Sequence, residues 1–395
     1  MRMIGLMSGT SADAIDVAIV DWPDSAEARP FELIAYREFS HPDGLQAEIH
    51  RLAAGELPAT EMLAEVVRLD RVIAEVSADA VLSLLEESGI GPEQIAGIAS
   101  HGQTIAHHPE HGGSLQIGCP ARLAERTGRP VIADFRRRDL AMGGEGAPLA
   151  PFFHHAVFAE AGESRGVLNL GGIANLTWLP AGAKPEAVMA FDVGPANALV
   201  DAVVSLETGG RERFDRDGAR ARAGQPIESW LDELLADPYL DRPPPKSTGR
   251  ERYGLAQART LLERSRREGI DFDDLVATLV AFSTRAIARA WQALGGGDAA
   301  AGAGRLLVGG GGARNPAVLA ALGEALPDVI VEPMDRAGVA ADAAEAMAFS
   351  LMGRNRLLGL PNQLPQCTGV AAARSLGVLH EAPGAKLDPP VAAPR

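Results

Sequence analysis

Twice in this chain two apolar runs close around a short tip of small and polar residues: IGLMSGTSADAIDVAIVDW at Ile4–Trp22 and GVLNLGGIANLTWLP at Gly166–Pro180. Each run is apolar and of strand length. The two hairpins lie about 160 residues apart and share design rather than letters, a hint of internal duplication. Elsewhere strand and helix patterns alternate. FELIAYREFS (Phe31–Ser40) reads as a strand, and Glu61–Ser88 as a helix with Leu63, Val66, Leu69, Val72, Ile73 and Val76 at helical spacing. IAGIASHGQT reads as a strand ending in a polar loop, VIADF as a short strand ending in the basic run Arg136–Arg138, and AVMAFDVGPANALVDAVV and RLLVGGGGARNPAVLAAL as strand, turn and helix. The class is α/β with mixed sheets.

At 395 residues the chain exceeds one ordinary core. We expect an N-terminal domain over 1–180, a C-terminal domain over 181–380, a flexible connector at GGGDAAAGAG, and a disordered Pro- and Ala-rich tail over 381–395. The formal charge of -15 disfavours nucleic acid or an anionic membrane as partner. Two cysteines, Cys119 and Cys367, cannot build a disulfide framework or zinc cluster. No signal-peptide pattern and no apolar run of spanning length occurs, so the expected location is the cytoplasm.

Four stretches carry chemistry. In SGTSADAID, Gly9, Ser11, Ala12 and Ala14 leave room for a backbone that wraps phosphate oxygens, and Ser8, Thr10 and Ser11 add hydroxyl donors. Asp13 and Asp16 suit a hydrated magnesium ion, which takes one or two carboxylates. In the second tip, Gly171 and Gly172 with Asn169, Asn175 and Thr177 offer amides and side-chain donors, so the paired tips would grip a polyphosphate. Gly310, Gly311 and Gly312 lie between a strand and a helix, where a ligand can approach the backbone. Neither a P-loop nor GxGxxG is present, which argues against a dinucleotide-dependent dehydrogenase. Asp192 ends a strand before Gly-Pro and suits a general base, whereas Asp201 in the following helix reads as structural.

Smaller signals complete the set. His101, Gln103 and Thr104 in SHGQT could meet a polar substrate. Arg136–Arg138, and Lys246 with Arg250 in PPPKSTGR, could pair with a substrate carboxylate. Glu345 sits on an apolar helix, where binding a sugar hydroxyl would give its charge a reason. His107, His108 and His111 lack HExxH spacing and read as surface histidines.

Eight motifs stand in the order of the anhydro-N-acetylmuramic acid kinase family, over about residues 3–379: GLMSGTSADAIDVAIVD, ASHGQTIAHHP, ADFRRRDLAMGGEGAPLAP, LNLGGIANLT, FDVGPANAL, PPPKSTGRE, VGGGGARNP and AEAMAFSLM. The chain resembles that family throughout. The resemblance implies the two-domain actin, hexokinase and Hsp70-like (ribonuclease H-like) fold, with mixed sheets around a central cleft. It implies a cytoplasmic homodimer that uses ATP, Mg2+ and water to open the 1,6-anhydro bridge of an amino sugar and phosphorylate O6 during cell-wall recycling. By motif, Asp192 resembles the general base, and Gly9, Thr10, Ser11, Ala12, Asp13, Ala14, Ile15 and Asp16 the ATP phosphate segment. Gly310–Gly312 resemble the adenosine-side glycines. Arg136, Glu345, the SHGQT loop and the KSTGR loop with Lys246 resemble sugar-side contacts. Gly usually stands at the positions of Ala14 and Ala196, and Thr at Val193. The competing reading is a regulatory or chaperone-like ATP-binding protein of the same fold, for which the chain leaves no length for a peptide-binding domain.

Overall fold

The computed structural model describes residues 1–295 and 304–382. Among them thirteen strands form: β1 (Arg2–Met7), β2 (Ala14–Asp21), β3 (Glu32–Ser40), β4 (Gly97–Ser100), β5 (Gln103–His108), β6 (Gly113–Ile117), β7 (Val131–Ala133), β8 (Arg165–Leu170), β9 (Ile173–Leu179), β10 (Met189–Pro195), β11 (Gly304–Gly309), β12 (Val329–Pro333) and β13 (Val378–His380). The chain divides into two compact units, Met1–Ala156 with the chain from Ala343, and Val157–Asp342.

In the first unit β1 pairs antiparallel with β2, from Arg2 opposite Asp21 to Met7 opposite Asp16. Met3–Leu6 and Val17–Val20 are all buried, which is why their sequence does not alternate. The sheet runs β13-β7-β4-β1-β2-β3, with β4 parallel to β1 and β7 parallel to β4. On one face, Ala78, Val81, Leu84 and Leu85 of the helix Ala59–Ser88 pack on Ile4, Leu6, Ile15, Val17 and Ile19. Against the other lies the helix Ala344–Leu357, so close that a Cβ at Gly5 would fall 1.8 Å from the Ala346 carbonyl oxygen. Gly353 repeats the device, its Cβ position lying 2.5 Å from the Ala99 methyl. β5 and β6 form a separate antiparallel pair.

In the second unit the sheet runs β10-β9-β8-β11-β12. β8, β9 and β10 are antiparallel neighbours, and β11 and β12 are added parallel to β8. Strand for strand this is the order and sense of β3-β2-β1-β4-β7. The duplication hinted at by the two hairpins therefore exists as topology. Its core centres on the helix Phe272–Ala293, whose Trp291 meets Trp178 edge-on at 4.7 Å.

The single boundary expected at residue 180 differs from this division. The second hairpin pairs with β10 and β11, so a cut at 180 would sever a continuous sheet, and the helix from Ala344 belongs with β1. Arg136–Arg138, read from the sequence as a basic run ending the VIADF strand, lie in the short helix Phe135–Ala141. The connector over 296–303 and the tail from 383 lie outside the described residues. No helix among the described residues is long and apolar enough to cross a membrane.

Candidate active site

At the first tip the backbone carbonyls of Gly9, Thr10 and Ser11 face protein nitrogens. Gly9 O accepts from Ala12 N at 3.1 Å and from Gln103 Nε2 at 3.0 Å, and Ser11 O accepts from Gln46 Nε2 at 2.8 Å. Thr10 O lies 3.3 Å from His50 Nε2. The amides of Gly9, Thr10 and Ser11 meet no protein acceptor among the described residues. With carbonyls tied back and amides open, the tip is polarised to receive an anion. Ala12 closes the turn with φ 49°, a left-handed conformation that a non-glycine residue adopts at some cost, while its methyl is buried beside Leu45 and Ile49.

The second tip has the same polarity. Gly171 O accepts from Asn197 N and Nδ2, at 3.1 and 2.8 Å, and Gly172 O accepts from Ala196 N and Ala198 N, at 2.9 and 3.1 Å. The Gly171 and Gly172 amides meet no protein acceptor among the described residues. Asn197 was not singled out from the sequence. Its signal was its place at a helix start, and the structure uses its side chain to tether the hairpin rather than to cap the helix.

Asp192 lies on β10 opposite Asn175, where the register shifts before Gly194. Such an irregularity re-aims a side chain out of the ladder. Asn175 Nδ2 donates to one carboxylate oxygen, and Thr248 N donates to the other at 2.9 Å. Burial pushes this carboxyl above its ordinary range, opposed by those two donors and reinforced by Glu251. A carboxylate both oriented and made more basic suits proton abstraction. Lys246, expected to meet substrate, is buried instead. Its Nζ donates to Tyr239 O and Leu240 O at 3.2 and 2.9 Å, and Tyr239 Oη donates to the Asp192 carbonyl at 2.8 Å. Lys246 thus anchors the loop that carries Thr248. Val193 is buried in the core. Asp201 is half-buried, its carboxyl raised to about 6 by burial against the opposing charge of Arg250.

The glycine run serves two purposes. Gly310 has φ 76°, and a Cβ there would meet Asn169 Oδ1 at 2.2 Å and Leu170 O at 3.0 Å; a Cβ at Gly312 would meet Leu170 at 2.6 Å. A Cβ at Gly311 would meet nothing within 4 Å. Asn315 Oδ1 takes the first amides of the next helix, Ala317 N at 3.0 Å and Val318 N at 3.4 Å, so Asn315 occupies part of the expected anion position.

On the sugar-side candidates of the first unit, His101 and Gln103 face protein partners rather than open space. Gln103 holds the first tip, while His101 Nε2 accepts from Arg136 Nε at 3.0 Å. Arg136 Nη1 donates to Gly146 O at 2.8 Å. Gly146 is fixed in turn by buried Asp139, which also accepts from Gln363 and Thr368 at 2.6 and 2.7 Å. Asp139 was missed because nothing in FRRRDLAMGG separates it from a solvated helix carboxylate. Thr104 Oγ1 accepts from Gln116 at 3.2 Å. Glu345 reaches solvent in the first turn of its helix, yet surrounding protein raises its carboxyl, with Arg136 opposing.

Asp13 and Asp16 differ in setting. Ser11 Oγ donates to Asp13 at 2.7 Å on the exposed tip, and Tyr36 Oη donates to Asp16 at 2.6 Å within the sheet. Among the described residues no group of three His, Cys, Asp or Glu gathers for a metal. A hard cation that takes one carboxylate and draws its other ligands from phosphate and water fits Asp13.

The sequence profile described as anhydro-N-acetylmuramic acid kinase matches residues 1–382. The chain belongs to the anhydro-N-acetylmuramic acid kinase family. It is 43% identical to the anhydro-N-acetylmuramic acid kinase of Gloeobacter violaceus, over 96% of this chain and 98% of that one. The Streptomyces coelicolor kinase of the same name is 42% identical over 95% and 93% of the two chains. Solved structures superpose loosely: a ROK hexokinase from Thermus thermophilus gives a TM-score of 0.37 at 17% identity, covering 89% of this chain and 99% of that one. Membership of the anhydro-N-acetylmuramic acid kinase family makes the chain a kinase, and neither the non-enzymatic nor the dehydrogenase reading gains support.

Proposed function

We propose that this chain binds ATP, for whose phosphates the open amides of the Ser8–Asp16 tip and those of the Gly171–Gly172 tip are each suited, and acts on 1,6-anhydro-N-acetylmuramic acid. Asp192 takes a proton from water, and the water oxygen attacks C1 of the sugar. The C1–O6 bond breaks, O6 attacks the γ-phosphorus, and the bond to the β-phosphate oxygen breaks. The products are N-acetylmuramic acid 6-phosphate and ADP. The tip amides oppose charge on the phosphates, as preorganised donors do in phosphoryl transfer. Asp13 would hold magnesium, which when bound supplies charge neutralisation on those phosphates.

The observation that carries this reading is Asp192 held at both carboxylate oxygens by Asn175 and Thr248, on the strand beside the Gly171–Gly172 tip. The test is ADP release coupled to mass analysis of the sugar product, for wild type and Asp192→Asn. Wild type should add both water and phosphate to the anhydro sugar, and the variant should fold but lose turnover. Phosphorylation of a different amino sugar, with the anhydro sugar untouched, would overturn the substrate assignment.

A further inference from the structure

One guanidinium in the first unit lacks the partner its burial calls for. Arg136 is half-buried and has no carboxylate within ion-pair distance among the described residues; Glu345 and Asp139 act on it only at longer range. A desolvated cation without an anion is costly, so the missing partner is expected in a ligand. Two of its five donors are fixed, Nε on His101 and one Nη1 hydrogen on Gly146 O. The other three have no protein acceptor among the described residues.

The group facing Nε is itself tightly determined. His101 is 5% exposed, and its Nδ1 lies 2.9 Å from the Gly102 carbonyl, which only accepts. Nδ1 therefore carries the proton and Nε2 offers its lone pair to Arg136. Burial and the neighbouring guanidinium push the imidazole down to about 3, against the opposing pull of the Gly102 and Ser8 backbone, so it stays neutral at working pH. Its ring packs on Phe349 at 4.9 Å, Phe349 packs on Phe135 at 5.4 Å, and its backbone N donates to Leu6 O at 3.1 Å. His107, Asp139 and Glu345 are the other titratable side chains that interact with Arg136, and none of them bonds to the His101 ring.

We propose that His101 is a positioning residue: its neutral Nε2 fixes the Arg136 guanidinium so that the open edge receives the carboxylate of an acidic sugar substrate. The inference rests on the proposed function, in which the substrate is a muramic acid bearing a lactyl carboxylate. It adds that preference for the acidic sugar depends on an uncharged acceptor at His101, which touches no substrate atom.

The test compares kcat/KM for 1,6-anhydro-N-acetylmuramic acid and for 1,6-anhydro-N-acetylglucosamine, which lacks the lactyl group. His101→Met removes the acceptor, and His101→Gln returns an oxygen near the Nε2 position. The ratio between the sugars should fall about 10- to 100-fold in the Met variant and recover in the Gln variant, the scale of a hydrogen bond to a charged group. Equal losses on both sugars, or no recovery with Gln, would overturn the proposal. Arg136→Ala tests the parent reading separately: a preference that survives this change removes the carboxylate from Arg136, whatever His101 does. Nitrogen NMR of the wild-type imidazole needs no variant. It should report the Nδ1–H tautomer, neutral at pH 5, and titration near pH 6 would overturn the proposal.

Discussion

Gln103 and Ser8 are joined by a 2.7 Å hydrogen bond in which the Ser8 hydroxyl donates to Gln103 Oε1, while Nε2 of the same amide donates to the Gly9 carbonyl at 3.0 Å. One buried side chain thus braces the tip whose amides stay open. Gln103→Leu keeps the volume and loses both bonds, about 1–3 kcal/mol. KM for ATP should rise roughly 5- to 100-fold. Steady-state kinetics with each substrate varied in turn checks this, and an unchanged KM for ATP would remove Gln103 from the nucleotide side.

Asp192→Asn should lower kcat by about 100- to 10,000-fold, the usual contribution of a positioned base. The pH profile gives an independent check. Because burial raises the Asp192 carboxyl, the base is lost as pH falls through that raised value. The acid limb of kcat/KM should therefore lie above the ordinary carboxylate pKa of about 4. A limb at or below that value would contradict the assignment.

Asp201 makes a stability prediction with a definite sign. Its carboxyl is raised to about 6 in the folded chain, so the folded state binds its proton more tightly than the unfolded state does. The associated stabilisation is complete below about pH 4 and is lost as pH rises through about 6. Asp201→Asn should flatten the pH dependence of thermal unfolding across that window. A slope identical to wild type would show that the group is not perturbed.

Gly5→Ala should cost at least about 3 kcal/mol, because the added methyl would fall 1.8 Å from a backbone oxygen that cannot swing aside. Denaturant unfolding measures it directly. A loss below about 1 kcal/mol would mean that the helix Ala344–Leu357 shifts off β1 easily.

Gly310 and Gly311 should separate folding from binding. Gly310→Ala forces a side chain into left-handed backbone and against Leu170 O, and should destabilise the chain by about 1–2 kcal/mol. Gly311→Ala meets no protein atom within 4 Å, so it should melt like wild type while weakening nucleotide binding. Calorimetric titration with ATP and thermal unfolding of both variants decide this. Wild-type ATP affinity in Gly311→Ala would take the glycine run out of the nucleotide site.

Local pattern was enough to reveal the α/β class and both hairpins, because each is announced by a short run of residues whose burial or turn chemistry is dictated by its neighbours in sequence. The ordered motifs likewise carried the family, confirmed by the profile over residues 1–382. What the letters left open were relationships across distance. A boundary at 180 looked natural in sequence, yet β8 and β9 complete their hydrogen bonds only with β10 and β11, and the helix from Ala344 finds its apolar face on β1. His101, Gln103 and Lys246 are polar residues in motif loops, and sequence pointed them at substrate. Folding instead sets them on Arg136, the Ser8–Gly9 tip and the Tyr239–Leu240 carbonyls, because a polar atom that becomes buried must find a partner wherever the chain brings one.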